Sequence, residues 1–196
     1  MRKEKLDELE SYIEELKVKR KTLLDSYGKF LSIERHLVEL NNGEIITREK
    51  LVKNGRDGNA SIILPVTDDG NTLLVVQPRV FTRSGVCVEL PAGYVDDNES
   101  YEAAARRELF EETGYVPSFM QYLGSFYQDQ GCSSAFNQAF LASGCKKIGN
   151  QSLDGDEFIR YFECSYDEML ELVSLGYICD CQSQLTIERS KHYMKK

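Results

Sequence analysis

The spacing of hydrophobic positions changes several times along the chain. Leu6, Leu9, Ile13, Leu16 and Leu23 recur three or four apart, with Arg20 interrupting, and predict a helix over residues 2 to about 25. A short coiled coil and a helix packed on the body both fit that stripe. From Lys29 the pattern shifts. Phe30 to Leu40 reads as a strand, Asn41-Asn42-Gly43 as a hairpin turn and Glu44 to Val52 as the returning strand. Asn54-Gly55-Arg56-Asp57-Gly58 breaks the chain, and the apolar run Ala60 to Val66 predicts a buried strand. Asp68-Asp69-Gly70-Asn71 turns it toward a partner over Thr72 to Gln77. A further strand, Val86 to Leu90, leads into Pro91-Ala92-Gly93. These shifts divide the chain into a helix over 1–28, a hairpin arm over 29–57 and a main domain over 58–196.

A short helix follows, between Gly93 and Gly114. Ser100 can cap its first turn, Ala103, Ala104 and Ala105 favour helix, and Gly114 suits the left-handed residue that closes it. Tyr101, Ala105 and Leu109 make a narrow apolar stripe for a core. Beyond it, Ser118 to Gln128 and Phe136 to Ala142 read as strands around a loop at 129–134. Lys146 to Leu153 is a polar loop, and Phe158 to Cys164 another strand. Tyr166 to Ser174 is an amphipathic helix and Ser183 to Met194 a closing one.

The polar side of the central helix carries the candidate chemistry. Glu108, Glu111 and Glu112 stand at i, i+3 and i+4 and project from one side. Like charges at that spacing repel, so the helix gains nothing from them by itself. A hard divalent cation removes the repulsion, since Mg²⁺ takes a few carboxylate oxygens together with phosphate oxygens and water. The plainer alternative is a solvated acidic face.

Composition narrows the choice. A chain of 196 residues, 41% hydrophobic, suits one domain with an appendage. A net charge of −8 argues against a general binder of nucleic acid or membranes. None of the six cysteines forms a CxxC pair, which suggests reduced thiols in a cytoplasmic protein. The start is charged from Arg2 on, without the look of a signal peptide, and no apolar run reaches membrane-spanning length. His36 and His192 are the only histidines, which leaves little for a Ser-His-Asp or Cys-His enzyme. No GxxxxGK[ST] loop is present.

The spacing as a whole is more specific than its parts. Gly93, five residues, Glu99, seven residues, then Arg107-Glu108-Leu109-x-Glu111-Glu112-x-Gly114-Tyr115 resembles the Nudix box, with Tyr115 in place of an aliphatic residue. That resemblance implies an α/β/α Nudix sandwich and hydrolysis of a nucleoside diphosphate linked to a further group, with Mg²⁺ or Mn²⁺. It implies Glu108, Glu112 and Glu111 as metal ligands, with the carbonyl of Ala92, and Arg107 as the residue that orients a glutamate. Glu99 would support the loop-helix geometry.

Further pieces resemble the ADP-ribose pyrophosphatase and nucleoside-diphosphate-sugar hydrolase subgroup: Arg48-Glu49, Leu64-Pro65-Val66, Gln77-Pro78-Arg79 and Glu89-Leu90-Pro91-Ala92-Gly93. The likeness implies Arg79, Arg48 and Glu89 as substrate-binding residues, with a plain surface role the alternative for each arginine, and a homodimer whose arms complete each other's sites. Phe30 is a candidate for stacking on a base, against a core role. Relatives place a catalytic glutamate near Asp154-Gly155-Asp156-Glu157, and Glu157 is the match; a solvated acidic turn is the alternative, with the base then supplied by a box glutamate, Glu111 or Glu112. Gln130 stands where the ADP-ribose enzymes usually carry Pro before Gly131. ADP-ribose, giving AMP and ribose 5-phosphate, is the leading substrate, ahead of another nucleoside-diphosphate sugar. A nucleotide-sensing module without catalysis is the alternative of a different class.

Overall fold

The computed structural model describes residues 18–28, 30–53, 55–83, 85–155 and 157–194. They form two compact units, one reaching to Gly58 and including Asp129–Ser134, the other holding Asn59–Gln128 and Ala135 onward.

The first unit is an antiparallel sheet in the order β1 (Val18–Gly28), β2 (Leu31–Leu40), β3 (Ile45–Lys53). The β2–β3 hairpin turns at Asn41-Asn42-Gly43, as the sequence predicts. Alternation along β2 gives the strand two faces: His36 and Val38 are buried while Leu31, Ile33 and Arg35 are exposed. The helix expected over residues 2 to about 25 falls mostly on residues 1–17, outside the described residues. From Val18 the chain is strand instead, paired along β2 from Leu40 to Ser32. At Gly28 the chain reverses with φ +116°, where a side chain would strike the Leu31 carbonyl oxygen at 2.3 Å. From Val18 on, hydrogen bonding to the free edge of β2 outweighs the helical spacing that included Leu23.

The second unit is built on a mixed sheet in the order β11 (Arg160–Ser165), β5 (Asn71–Pro78), β4 (Ala60–Thr67), β10 (Phe136–Lys147), β8 (Tyr115–Val116). β6 (Val86–Glu89) joins β5, β7 (Ala92–Tyr94) joins β4 and β9 (Phe119–Tyr127) joins β10. β4 and β10 run parallel at the centre and are covered on both faces, which explains the unbroken apolar run of β4. Period-two alternation sends Ile62, Leu64, Leu74 and Leu141 to one side, with Met169 of α2 (Tyr166–Ser174) and Ile187 of α3 (Cys181–Met194). Ile63, Leu73 and Phe140 go to the other side, with Ala105 and Leu109 of α1 (Tyr101–Thr113). The expected α/β/α sandwich is this unit.

β10 is longer than the sequence suggests. It passes through a bulge between Ser143 and Cys145, with Gly144 at φ +63°, and then pairs Lys146 and Lys147 with β8. The polar loop therefore begins after Lys147.

Candidate active site

α1 is fixed at both ends by the residues the sequence marks. The Ser100 hydroxyl accepts the Ala103 N–H at 3.2 Å, and Gly114, at φ 78°, donates its N–H to the Phe110 carbonyl at 2.7 Å. Ala104 and Ala105 are wholly buried, and their small size brings the helix axis close to β4. The helix start is also tied to the sheet, because the Ser61 hydroxyl donates to the Tyr101 carbonyl at 2.7 Å.

This close packing puts the glutamate face against β7. The Glu112 side chain is almost entirely buried and accepts the Ala92 N–H at 3.1 Å. Gly93 lies under Glu108, and a Cβ there would meet the Glu108 carboxyl atoms at 1.9–2.3 Å. Only glycine leaves room for that carboxylate over the strand. Burial pushes the Glu108 carboxyl up to about 7, against the opposing pull of Arg107. Burial, with the charge of Glu108, also holds Glu112 well above the usual carboxylate range. Glu157 adds its negative charge to both.

Arg107 is the hub. Its Nε and Nη2 donate to the two oxygens of Glu99 at 3.0 and 2.9 Å, and Nη2 also reaches the Tyr94 carbonyl at 2.9 Å. Its Nη1 donates to Glu108 at 2.7 Å and to Glu111 at 2.9 Å. Glu99 in turn accepts the Asp96 N–H at 3.0 Å, so it ties the loop to the helix. Arg107 holds the Glu99 carboxyl below its ordinary value.

Among the described residues, no three Asp, Glu, His or Cys side chains stand ready as a finished metal-holding group. Arg107 links Glu108 and Glu111 instead. The donor set still fits a hard divalent cation. Buried carboxylates lacking full compensation lie over a strand that has been cleared of a side chain, and oxygen is the donor such cations take.

A family model described as the NUDIX domain matches residues 57–177. The chain belongs to the Nudix family. It is 32% identical over 162 residues to a Bacillus subtilis protein named ADP-ribose pyrophosphatase, covering 82% of this chain and 85% of that one. It is 29% identical over 186 residues to the Escherichia coli K12 protein named GDP-mannose pyrophosphatase, covering 90% and 96%. A Bacillus methanolicus protein named methanol dehydrogenase activator is 30% identical over 162 residues, covering 82% and 85%. A crystal structure described as an ADP compounds hydrolase superposes with a TM-score of 0.74 at 19% identity, over 92% of this chain and 94% of that one, and so shares the fold. This Nudix protein is a pyrophosphohydrolase, and enzymes of the family work with divalent metals.

The remaining candidates sort by location. Glu157 sits in the loop before β11, where it accepts the Asp154 N–H at 3.1 Å within its own turn. Arg79 and Glu89 pair with each other across the β5–β6 hairpin, at 2.9 and 2.8 Å through two parallel hydrogen bonds. The bonds from Glu89 hold Arg79 more firmly in its charged form, and Glu112 lies near enough to add to the effect. Arg48 and Phe30 belong to the first unit and are exposed; Arg48 donates to the Thr47 carbonyl at 2.9 Å.

One contact has no sequence signal. Gln151, in the loop after β10, donates through its side-chain amide to the Glu112 carbonyl at 2.6 Å and to the Ile159 carbonyl at 3.2 Å. A lone glutamine in a polar loop gives no hint of that. Among the described residues, no helix is long and apolar enough to cross a membrane.

Proposed function

We propose that this Nudix hydrolase cleaves the diphosphate of a nucleoside-diphosphate sugar, with ADP-ribose, giving AMP and ribose 5-phosphate, as the leading substrate and Mg²⁺ or Mn²⁺ as the metal. The observation that carries the reading is the part-buried Glu108 over Gly93 beside the buried Glu112, in a chain 32% identical to a protein named for ADP-ribose. A GDP-sugar is the second reading, favoured by the match to the GDP-mannose pyrophosphatase over 90% of the chain.

Glu108, Glu112, Glu111 and the Ala92 carbonyl would hold the metal. A bound divalent cation neutralises diphosphate oxygens and makes a bound water more acidic. Glu157 takes the proton from the attacking water. The water oxygen bonds to one phosphorus, the bridging P–O bond breaks, and the second phosphate leaves with the bridging oxygen. Arg107 keeps Glu108 and Glu111 in place, and the half-exposed side of Arg79, oriented by Glu89, faces phosphate.

In this reading the protein is a homodimer, and Arg48 and Phe30 reach substrate from the arm. Exposed Tyr27, Leu31, Ile33 and Ile45 on the three-stranded sheet support that reading. A cytoplasmic location is supported by six unpaired cysteines, and a small-molecule substrate rather than nucleic acid by the net charge of −8.

The test is product release from ADP-ribose, GDP-mannose, UDP-glucose, NADH and diadenosine polyphosphates with Mg²⁺ and with Mn²⁺, read through a coupled phosphatase. Highest kcat/KM on ADP-ribose supports the first reading, and a preference for GDP-mannose replaces it with the second. Binding of ADP-ribose without metal-dependent turnover overturns both and leaves a sensing module.

A further inference from the structure

The C-terminal end of α1 is closed by another part of the chain. The last carbonyls of a helix have no partner inside it. Here the Glu111 carbonyl accepts the Ser152 N–H at 2.8 Å, and the Glu112 carbonyl accepts the Gln151 side-chain amide at 2.6 Å. The Gly114 carbonyl accepts the N–H groups of Ile148 and Gly149 at 3.0 and 3.2 Å. A single loop therefore caps the helix, and the same loop carries Glu157.

Within that loop Gln151 has a second bond. The amide nitrogen that reaches the Glu112 carbonyl also reaches the Ile159 carbonyl, two residues beyond Glu157. One nitrogen thus ties the backbone of Glu112 to the chain segment on the far side of Glu157. Ile159 is buried, which anchors that end of the loop. Glu157 itself is exposed and is bonded only locally among the described contacts, to Asp154. Its distance from the box glutamates depends on how the loop is held.

We propose that Gln151 is a positioning residue: by bridging the carbonyls of Glu112 and Ile159 it sets Glu157 against the Glu108–Glu112 pair. The inference rests on the role given to Glu157 above. Its effect falls on the rate of the chemical step, because among the described residues the side-chain bonds of Gln151 go to Glu112 and Ile159 and not to the Arg79–Glu89 pair that would bind phosphate. A misplacement of about 1 Å at reacting groups can cost about a hundredfold in rate.

The experiment is a double-mutant cycle on the full chain, with kcat and KM measured on the best substrate of the panel. Gln151→Leu keeps the volume and removes the donor; it should lower kcat about ten- to a hundredfold with KM within about twofold. In a Glu157→Gln background the same change should cost little more, since the group it positions has already lost its function. Gln151→Lys retains a donor for both carbonyls and should recover most of the lost kcat. Losses that multiply in the double variant, or a Lys variant as slow as the Leu variant, overturn the inference. Should the Leu variant not fold, Gln151→Ser, which leaves room for water, takes its place in the cycle. A neutral Glu157→Gln instead refutes the catalytic role of Glu157, and is thereby told apart from a failure of Gln151.

Discussion

Gly93→Ala isolates the clearance beneath Glu108. The new Cβ would lie 1.9 Å from Glu108 Cδ, 2.0 Å from Oε1 and 2.3 Å from Oε2. Gly93 does not have a positive φ, so alanine fits the backbone and the strain falls on the carboxylate. That carboxylate must swing away, which breaks the 2.7 Å bond from Arg107 Nη1. A hydrogen bond to a charged group contributes about 1.5–3 kcal/mol, and the displaced carboxylate keeps part of its attraction to Arg107, so the net loss should be about 1 kcal/mol. For a chain of this size that lowers Tm by about 2–4 °C. Activity should suffer far more, because a ligand shifted by over 1 Å costs about a hundredfold or more. Thermal melting by circular dichroism and metal titration of turnover separate the two effects. A variant with native kcat and native metal affinity would refute the reasoning, since it would show that Glu108 does not need the space over Gly93.

Glu112→Gln keeps an acceptor for the Ala92 N–H while removing a buried charge, so the metal-free Tm should hold or rise. Turnover should fall by several kcal/mol of barrier, about a hundredfold to a thousandfold, and unchanged activity would exclude Glu112 as a ligand. Burial raises Glu108 from 4.5 to about 7, so the folded protein holds a proton there that the unfolded chain releases. The stability this gives the metal-free protein is complete below about 4.5 and lost as pH rises through about 7. Protons compete with the metal over the same range; Mg²⁺ should therefore raise Tm more at pH 8 than at pH 6, and an equal rise at both would contradict the assignment. Removing the arm, residues 29–57, should abolish both dimer and activity, as read by sedimentation and turnover; an active monomer would refute the shared site.

Much of the site was legible because its determinants are local. Ser100, the alanines and Gly114 specify α1 within a single short stretch of chain, and helical spacing alone places Glu108, Glu111 and Glu112 together. Gly93 is marked in sequence only by its place in the box spacing, and the fold shows that it leaves room for Glu108. What escaped depends on partners distant in sequence. β1 has no strand signature of its own and exists by pairing with β2. β10 continues past Gly144 because a bulge takes up the irregular residue, whereas in sequence the same glycine looks like an end. Arg79 and Glu89 each stood out as candidates, but the strand register sets Glu89 opposite Val75 and Arg79 beside Gly85, so only the folded side chains bring the two together. The bridge from Gln151 spans 39 residues, and glutamine composition carries no trace of it.

The anchors on the glutamate face are unequal, and this bears on how it would accept a cation. Glu112 is fixed twice, by its burial and by the Ala92 N–H, while its own carbonyl is held by Gln151. Glu108 is confined between Gly93 and Arg107. Glu111 is the most exposed of the three, with a side chain 34% accessible and a single bond to Arg107 among the described contacts. The planar guanidinium of Arg107, gripped by Glu99 through Nε and Nη2, fixes the direction in which its Nη1 points. On the proposed role of these residues, Glu112 and Glu108 are the more firmly held ligands, and Glu111, with its one bond to Arg107, is the least constrained. On that role, preorganisation at Glu112 would reduce what must be ordered when metal and diphosphate bind, and the more exposed Glu111 would adjust to the change in charge. The loop between β10 and β11 that caps the helix grips the backbone of Glu112, the carboxylate that on the proposed role most needs to be held still.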